Sequence, residues 1–128
     1  MLIMGCGRVG AHLASLLEAD GHEITVLDID ASSFARLPHT FRGNALLGDG
    51  TDEDSLKRAG IEEMKAFVAL TAADNTNIMA AQIARKVFNV SKVVCRIYDP
   101  TREGLYRELG LETICPTALV AEAVRTRL

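Results

Sequence analysis

The feature that most constrains this chain is Gly5-Cys6-Gly7-Arg8-Val9-Gly10, a complete G-x-G-x-x-G set between the apolar run Leu2–Met4 and an amphipathic segment. In that setting the three glycines have different physical roles. Gly5 allows a tight turn, Gly7 lets the backbone approach a pyrophosphate, and Gly10 lets a helix pack closely on the strand before it. The N-terminus of that helix offers free N–H groups and partial positive charge to phosphates. The chain therefore opens as strand, glycine turn, helix.

The remaining segments repeat this alternation. Residues 9–20 carry Val9, Leu13, Leu16 and Leu17 on one helical face, with Gly21 placed to stop the helix. Residues 22–30 hold Ile24, Val26 and Ile29, a β-branched strand, and residues 31–37 form a short helix ending before Pro38. Residues 45–47 are a third strand. Thr51 is the expected N-cap of the next helix, Asp52, Glu53 and Asp54 load its first turn, and Gly60 ends it. Residues 65–71 (KAFVALT) are almost wholly apolar, the mark of a strand covered on both faces. A helix opens at Asp74 or Asn75 and runs through Val87. Residues 92–98 form a fifth strand, 101–109 a helix and 113–115 a sixth strand, and a last helix starts at Pro116 or Thr117.

Strands alternating with helices, joined by right-handed crossovers, predict an α/β fold: a Rossmann-like doubly wound parallel sheet of about six strands with helices on both faces. At 128 residues, without a linker or shift in composition, the chain reads as one domain, residues 1–128. The first strand is short, so the native chain is expected to begin upstream of Met1. No window approaches the ~18 apolar residues needed to cross a bilayer. With 14 basic against 17 acidic residues and no basic stripe, nucleic acid is not an expected partner. Cys6, Cys95 and Cys115 are odd in number and far apart, which fits reduced thiols in a cytosolic protein.

Seven further positions complete a candidate site. Asp28, 18 residues after Gly10 and followed by Ile29, ends the second strand where a carboxylate accepts bonds from ribose hydroxyls and repels a 2′-phosphate. Asp30 is the fallback. Asp49 and Gly50 end the third strand and reach the adenine side, although Asp49 reads equally well as support for a cap at Thr51. Thr71 and Ala72 begin a polar loop where the second half of a dinucleotide would pass, and Asp74 and Asn75 read as helix caps. Arg96, inside an apolar strand, needs an anionic partner, either a nucleotide phosphate or a carboxylate such as Asp99. No Ser/His/Asp order, H-E-x-x-H or G-x-S-x-G appears, and Lys92 and Tyr98 lie six apart, not in a Tyr-x-x-x-Lys pair. The sequence offers a cofactor cradle without catalytic apparatus.

Taken in order, GCGRVG, VLDID, GDGTDEDSLKRAGIEE, ALTAADNTNIMAAQIAR and VVCRIYDP resemble the N-terminal nucleotide-binding half of RCK domains, also called KTN or TrkA-N domains. These are cytosolic regulators of potassium channels and Trk/Ktr transporters. The resemblance implies NAD(H) as the foremost ligand, with ATP, ADP or AMP also accepted. It places Gly5, Cys6, Gly7, Arg8, Val9, Asp28, Ile29, Asp49, Gly50, Thr71, Ala72 and Arg96 in the site. It further implies a channel or transporter subunit as partner, a cytoplasmic position peripheral to the membrane through that partner, and a C-terminal ligand-binding subdomain beyond Leu128.

The alternative is the cofactor domain of a dehydrogenase. Residues 117–128 carry an apolar stripe, Leu119, Val120, Ala123, Val124 and Leu128, with Glu122, Arg125 and Arg127 largely off it. The earlier helices are expected to cover both sheet faces, so a second chain is the expected cover for this stripe, in a homodimer or larger RCK assembly.

Overall fold

The computed structural model describes residues 1–128. Six parallel strands form one sheet: β1 (Leu2–Met4), β2 (Thr25–Asp28), β3 (Asn44–Leu47), β4 (Ala66–Ala69), β5 (Lys92–Arg96) and β6 (Glu112–Ile114). Their spatial order is β3-β2-β1-β4-β5-β6. β1 lies at the centre, with Met4 beside Leu27 of β2 and Ala69 of β4. Crossovers leave β1 and β4 in opposite directions, so a crevice opens above their carboxyl ends.

The helices are α1 (Arg8–Ala19), α2 (Glu53–Arg58), α3 (Asp74–Gln82), α4 (Pro100–Glu108) and α5 (Pro116–Arg125). Alternation along the strands separates two cores. Leu2, Met4, Phe67, Ala69, Val93 and Cys95 face Leu56 of α2 and Ile78, Ala81 and Ala84 of the α3 region. Ile3, Val26 and Leu70 face Ala11 and Ala14 of α1, with Phe34 and Leu37 at the rim. All three cysteines are free and buried. No helix is long and apolar enough to cross a membrane.

Several local expectations are corrected. α1 turns Gly10, Ala11 and Ala14 to the sheet, while Val9 and Leu16 are about half exposed. Small residues allow the close approach that Gly10 begins. The second strand is confined to Thr25–Asp28, leaving Ile29 75% exposed in the turn. The short helix after it is 3₁₀, over Ala31–Arg36, capped by Asp30. The cap of α2 is Asp52, whose carboxylate accepts from Ser55 N–H at 3.2 Å; Thr51 instead donates to Asp49. α3 continues into a π-helical turn, Ile83–Val87, closed by Phe88 N–H to the Ile83 carbonyl.

The cover of the sheet also differs. α1 and the 3₁₀ turn pack over β1, β2 and β3. On the same face of β5 and β6, Val94 is only half-buried and Ile114 is 40% exposed. α5 does not fold back over them and buries none of its residues.

Candidate functional site

The glycine turn forms the floor of the crevice. Gly5 has φ +108°, a conformation few side chains tolerate, and its N–H donates to the Leu27 carbonyl at 2.8 Å. A Cβ at Gly10 would lie 1.9 Å from the Gly5 carbonyl oxygen, so only glycine lets α1 start against this turn. Over Gly7 the space is open, with nothing within 4 Å of an ideal Cβ. Gly7 is also the N-cap of α1 and supplies no side-chain acceptor to the first-turn N–H groups. An open cradle with unsatisfied donors is suited to an anion.

Asp28 reaches from β2 to this turn. One carboxylate oxygen accepts from Cys6 N–H at 2.7 Å and the other from Asp30 N–H at 2.9 Å. Each oxygen retains capacity for a further donor, such as a ribose hydroxyl. Burial pushes the Cys6 thiol up, and the negative charge of Asp28 adds to the shift. The Asp30 carboxylate accepts from the hydroxyl and N–H of Ser32, which together hold its carboxyl below the usual range. Asp49 behaves alike: the hydroxyl and N–H of Thr51 donate to it at 2.7 and 2.9 Å and lower its carboxyl.

Across the crevice, Arg96 is 8% exposed. Its Nη2 donates to the carbonyls of Leu70 and, at 2.9 Å, Thr71, and its guanidinium lies over the Tyr98 ring at 4.9 Å. Nε is buried without a partner. No carboxylate serves Arg96; Asp99 instead caps α4 through Thr101 N–H. Asp74 is not a cap of its own helix. Its carboxylate accepts from Tyr98 N–H at 2.8 Å and Asp99 N–H at 3.2 Å, tying α3 to the end of β5. The Asn75 carbonyl oxygen accepts from Arg102.

Gly5, Cys6, Gly7, Asp28, Ile29, Asp49, Gly50, Thr71, Ala72 and Arg96 border one cavity of about 550 Å³, joined by Asp30, Ser33 and Arg36. Arg8 and Val9 do not border it. Arg8 faces a shallow groove shared with His12, Ser15 and Arg36, and Val9 is exposed. Acids gather beside β2 and β3, while Arg96 stands at β5. Sequence reasoning missed Asn77, which is fully buried and bonded to both Thr71 and Arg96. Its signal was present: Asn77 shares a helical face with the apolar Ala80 and Ala81, where a polar side chain needs partners. No group of three or more His, Cys, Asp or Glu is placed to hold a metal ion.

Strand order, a glycine turn at the switch point and an acid ending β2 define a domain of the Rossmann type. Residues 1–116 match the TrkA-N domain family, and the chain belongs to it. It is 47% identical over 128 residues to the Trk system potassium uptake protein TrkA of Streptomyces coelicolor, covering 100% of this chain and 57% of that protein. The chain thus spans little more than half the length of that relative. Among solved structures, the TrkA-N domain of the inner membrane protein ybaL from Escherichia coli has the same fold. It superposes with a TM-score of 0.86 at 20% identity, covering 99% of this chain and 94% of that one. The Shewanella denitrificans Kef C-terminal domain in its AMP-bound form gives 0.80 at 25% identity, covering 96% of this chain and 74% of that one.

Proposed function

We propose that this chain is the nucleotide-sensing module of a potassium uptake system, holding NAD(H) foremost, or ATP, ADP or AMP, in the crevice at the carboxyl ends of the strands. One observation carries the reading. Gly7 with its open cradle, Asp28, and Arg96, whose Nε is buried without a partner, border a single cavity. That set suits an anion flanked by a ribose, and the AMP-bound Kef domain supports an adenine nucleotide.

In this reading the backbone from Gly5 to Gly7 takes the phosphates. Asp28 and Ile29 take the ribose side, and Asp49 and Gly50 the adenine side. Thr71, Ala72 and Arg96 take the second half of the ligand. The partner is a membrane-embedded potassium transporter or channel subunit, supported by the TrkA relative, and the domain sits in the cytoplasm beside it. Ligand identity acts by changing how copies of the domain are arranged. The role is regulatory, a reading supported by the TrkA relative, a potassium uptake protein.

Calorimetric titration of the protein with NAD, ADP, AMP and NADP tests this. NAD or an adenine nucleotide is expected to saturate one site per chain. NADP should bind more weakly, since its 2′-phosphate meets the Asp28 carboxylate. Absence of heat with every adenine nucleotide, confirmed by equilibrium dialysis, sinks the proposal.

A further inference from the structure

We infer that Asn77, which does not border the cavity, is the positioning residue for its phosphate side and sets the preference for phosphorylated over unphosphorylated ligands. The inference rests on the nucleotide reading above. Asn77 lies in the first turn of α3 and is 0% exposed. Its carbonyl oxygen accepts from Thr71 N–H at 2.9 Å and from the Thr71 hydroxyl at 2.7 Å. Its amide nitrogen donates to the Thr71 carbonyl at 2.9 Å and to the Arg96 carbonyl at 3.0 Å. Two acceptances and two donations use the full capacity of a primary amide.

The placement of these bonds gives them a function. The ladder between β4 and β5 ends at Ala69 beside Cys95, and Thr71 and Arg96 lie just past that last pair. Asn77 joins the two strands where backbone pairing has stopped. Arg96 is in turn held by the carbonyls of Leu70 and Thr71, which leaves Nε buried and without a partner. The amide therefore fixes both the main chain that carries the guanidinium and a carbonyl that orients it. A buried unpaired N–H on a cation is unfavourable, and a phosphate oxygen relieves it through a charge-assisted bond. Asp28, at the other end of the crevice, shares no hydrogen bond with this network. Losing Asn77 should thus weaken phosphate binding and leave the nucleoside side intact.

The test is a protein-observed NMR titration of wild type and Asn77→Ala with NAD and with adenosine. The ratio of the two affinities should fall about tenfold or more in the variant, with adenosine affinity within about twofold of wild type. In an Arg96→Gln background the same substitution should change the ratio little, because its effect passes through Arg96. Equal losses for NAD and adenosine, or additive effects in the double variant, would overturn the inference and leave a merely structural role. Should Asn77→Ala not fold, the wild type still decides. Its Asn77 side-chain amide resonances should shift with NAD and stay fixed with adenosine, and resonances unmoved by NAD would overturn the claim. A wild type that binds neither NAD nor any other adenine nucleotide removes the nucleotide reading itself, a different outcome from a wild type that binds while the variant loses both ligands equally.

Discussion

Gly7 and Gly10 stand three residues apart and answer to different constraints. At Gly10 an added methyl would meet the Gly5 carbonyl oxygen at 1.9 Å, a backbone atom that no side-chain rotation can move aside. Gly10→Ala should cost about 3 kcal/mol or more, the upper end for overpacking, and urea unfolding measures it. At Gly7 the methyl meets nothing, and φ is −79°, so Gly7→Ala should retain stability to within about 1 kcal/mol. Its cost should appear as weaker nucleotide binding, because the methyl fills the open cradle. A Gly7→Ala protein with wild-type affinity would contradict that role for the second glycine.

Among the elements, those with one dominant signal were legible in the sequence. β4 read correctly because a strand covered on both faces has no polar side to show, and α1 stopped where Gly21, at φ +94°, closes the turn. The errors have physical causes. The buried face of α1 is made of Gly10, Ala11 and Ala14, since close approach selects small side chains, whereas a pattern of large apolar residues pointed to Val9 and Leu16. Thr51 and Asp52 can both cap a helix, and the bonds from Thr51 to Asp49 shift the start of α2 by one residue. Asp52→Ala should therefore lower stability by about 1 kcal/mol in thermal unfolding, and a neutral effect would return the cap to Thr51. Within the cavity wall, residues at strand ends were legible because topology alone places them there. Asn77, outside that wall, was missed: its place on the face of Ala80 and Ala81 signals a need for partners, but only the folded chain shows that these are Thr71 and Arg96.

For the whole molecule, the asymmetry of the sheet matters most. One face is covered from β1 to β6 by α2, α3 and α4, while the other is packed only as far as α1 and the 3₁₀ turn reach. The half-buried Val94, the exposed Ile114 and the unburied stripe of Leu119, Val120 and Val124 on α5 are apolar surfaces that no other element covers. A second copy is the expected cover. Light scattering should give a mass of two chains or more, and the Leu119→Glu/Val124→Glu double variant should stay folded and become monomeric. A wild-type mass of one chain at high concentration would refute it. The central claim, however, is that the crevice holds a nucleotide by its ribose and phosphates. It is tested most directly by calorimetric titration of NAD into the wild type and into Asp28→Ala. Saturable binding by the wild type, weakened about tenfold or more in the variant by loss of a charged acceptor, is the predicted result. Equal affinity in a folded Asp28→Ala protein would contradict the account.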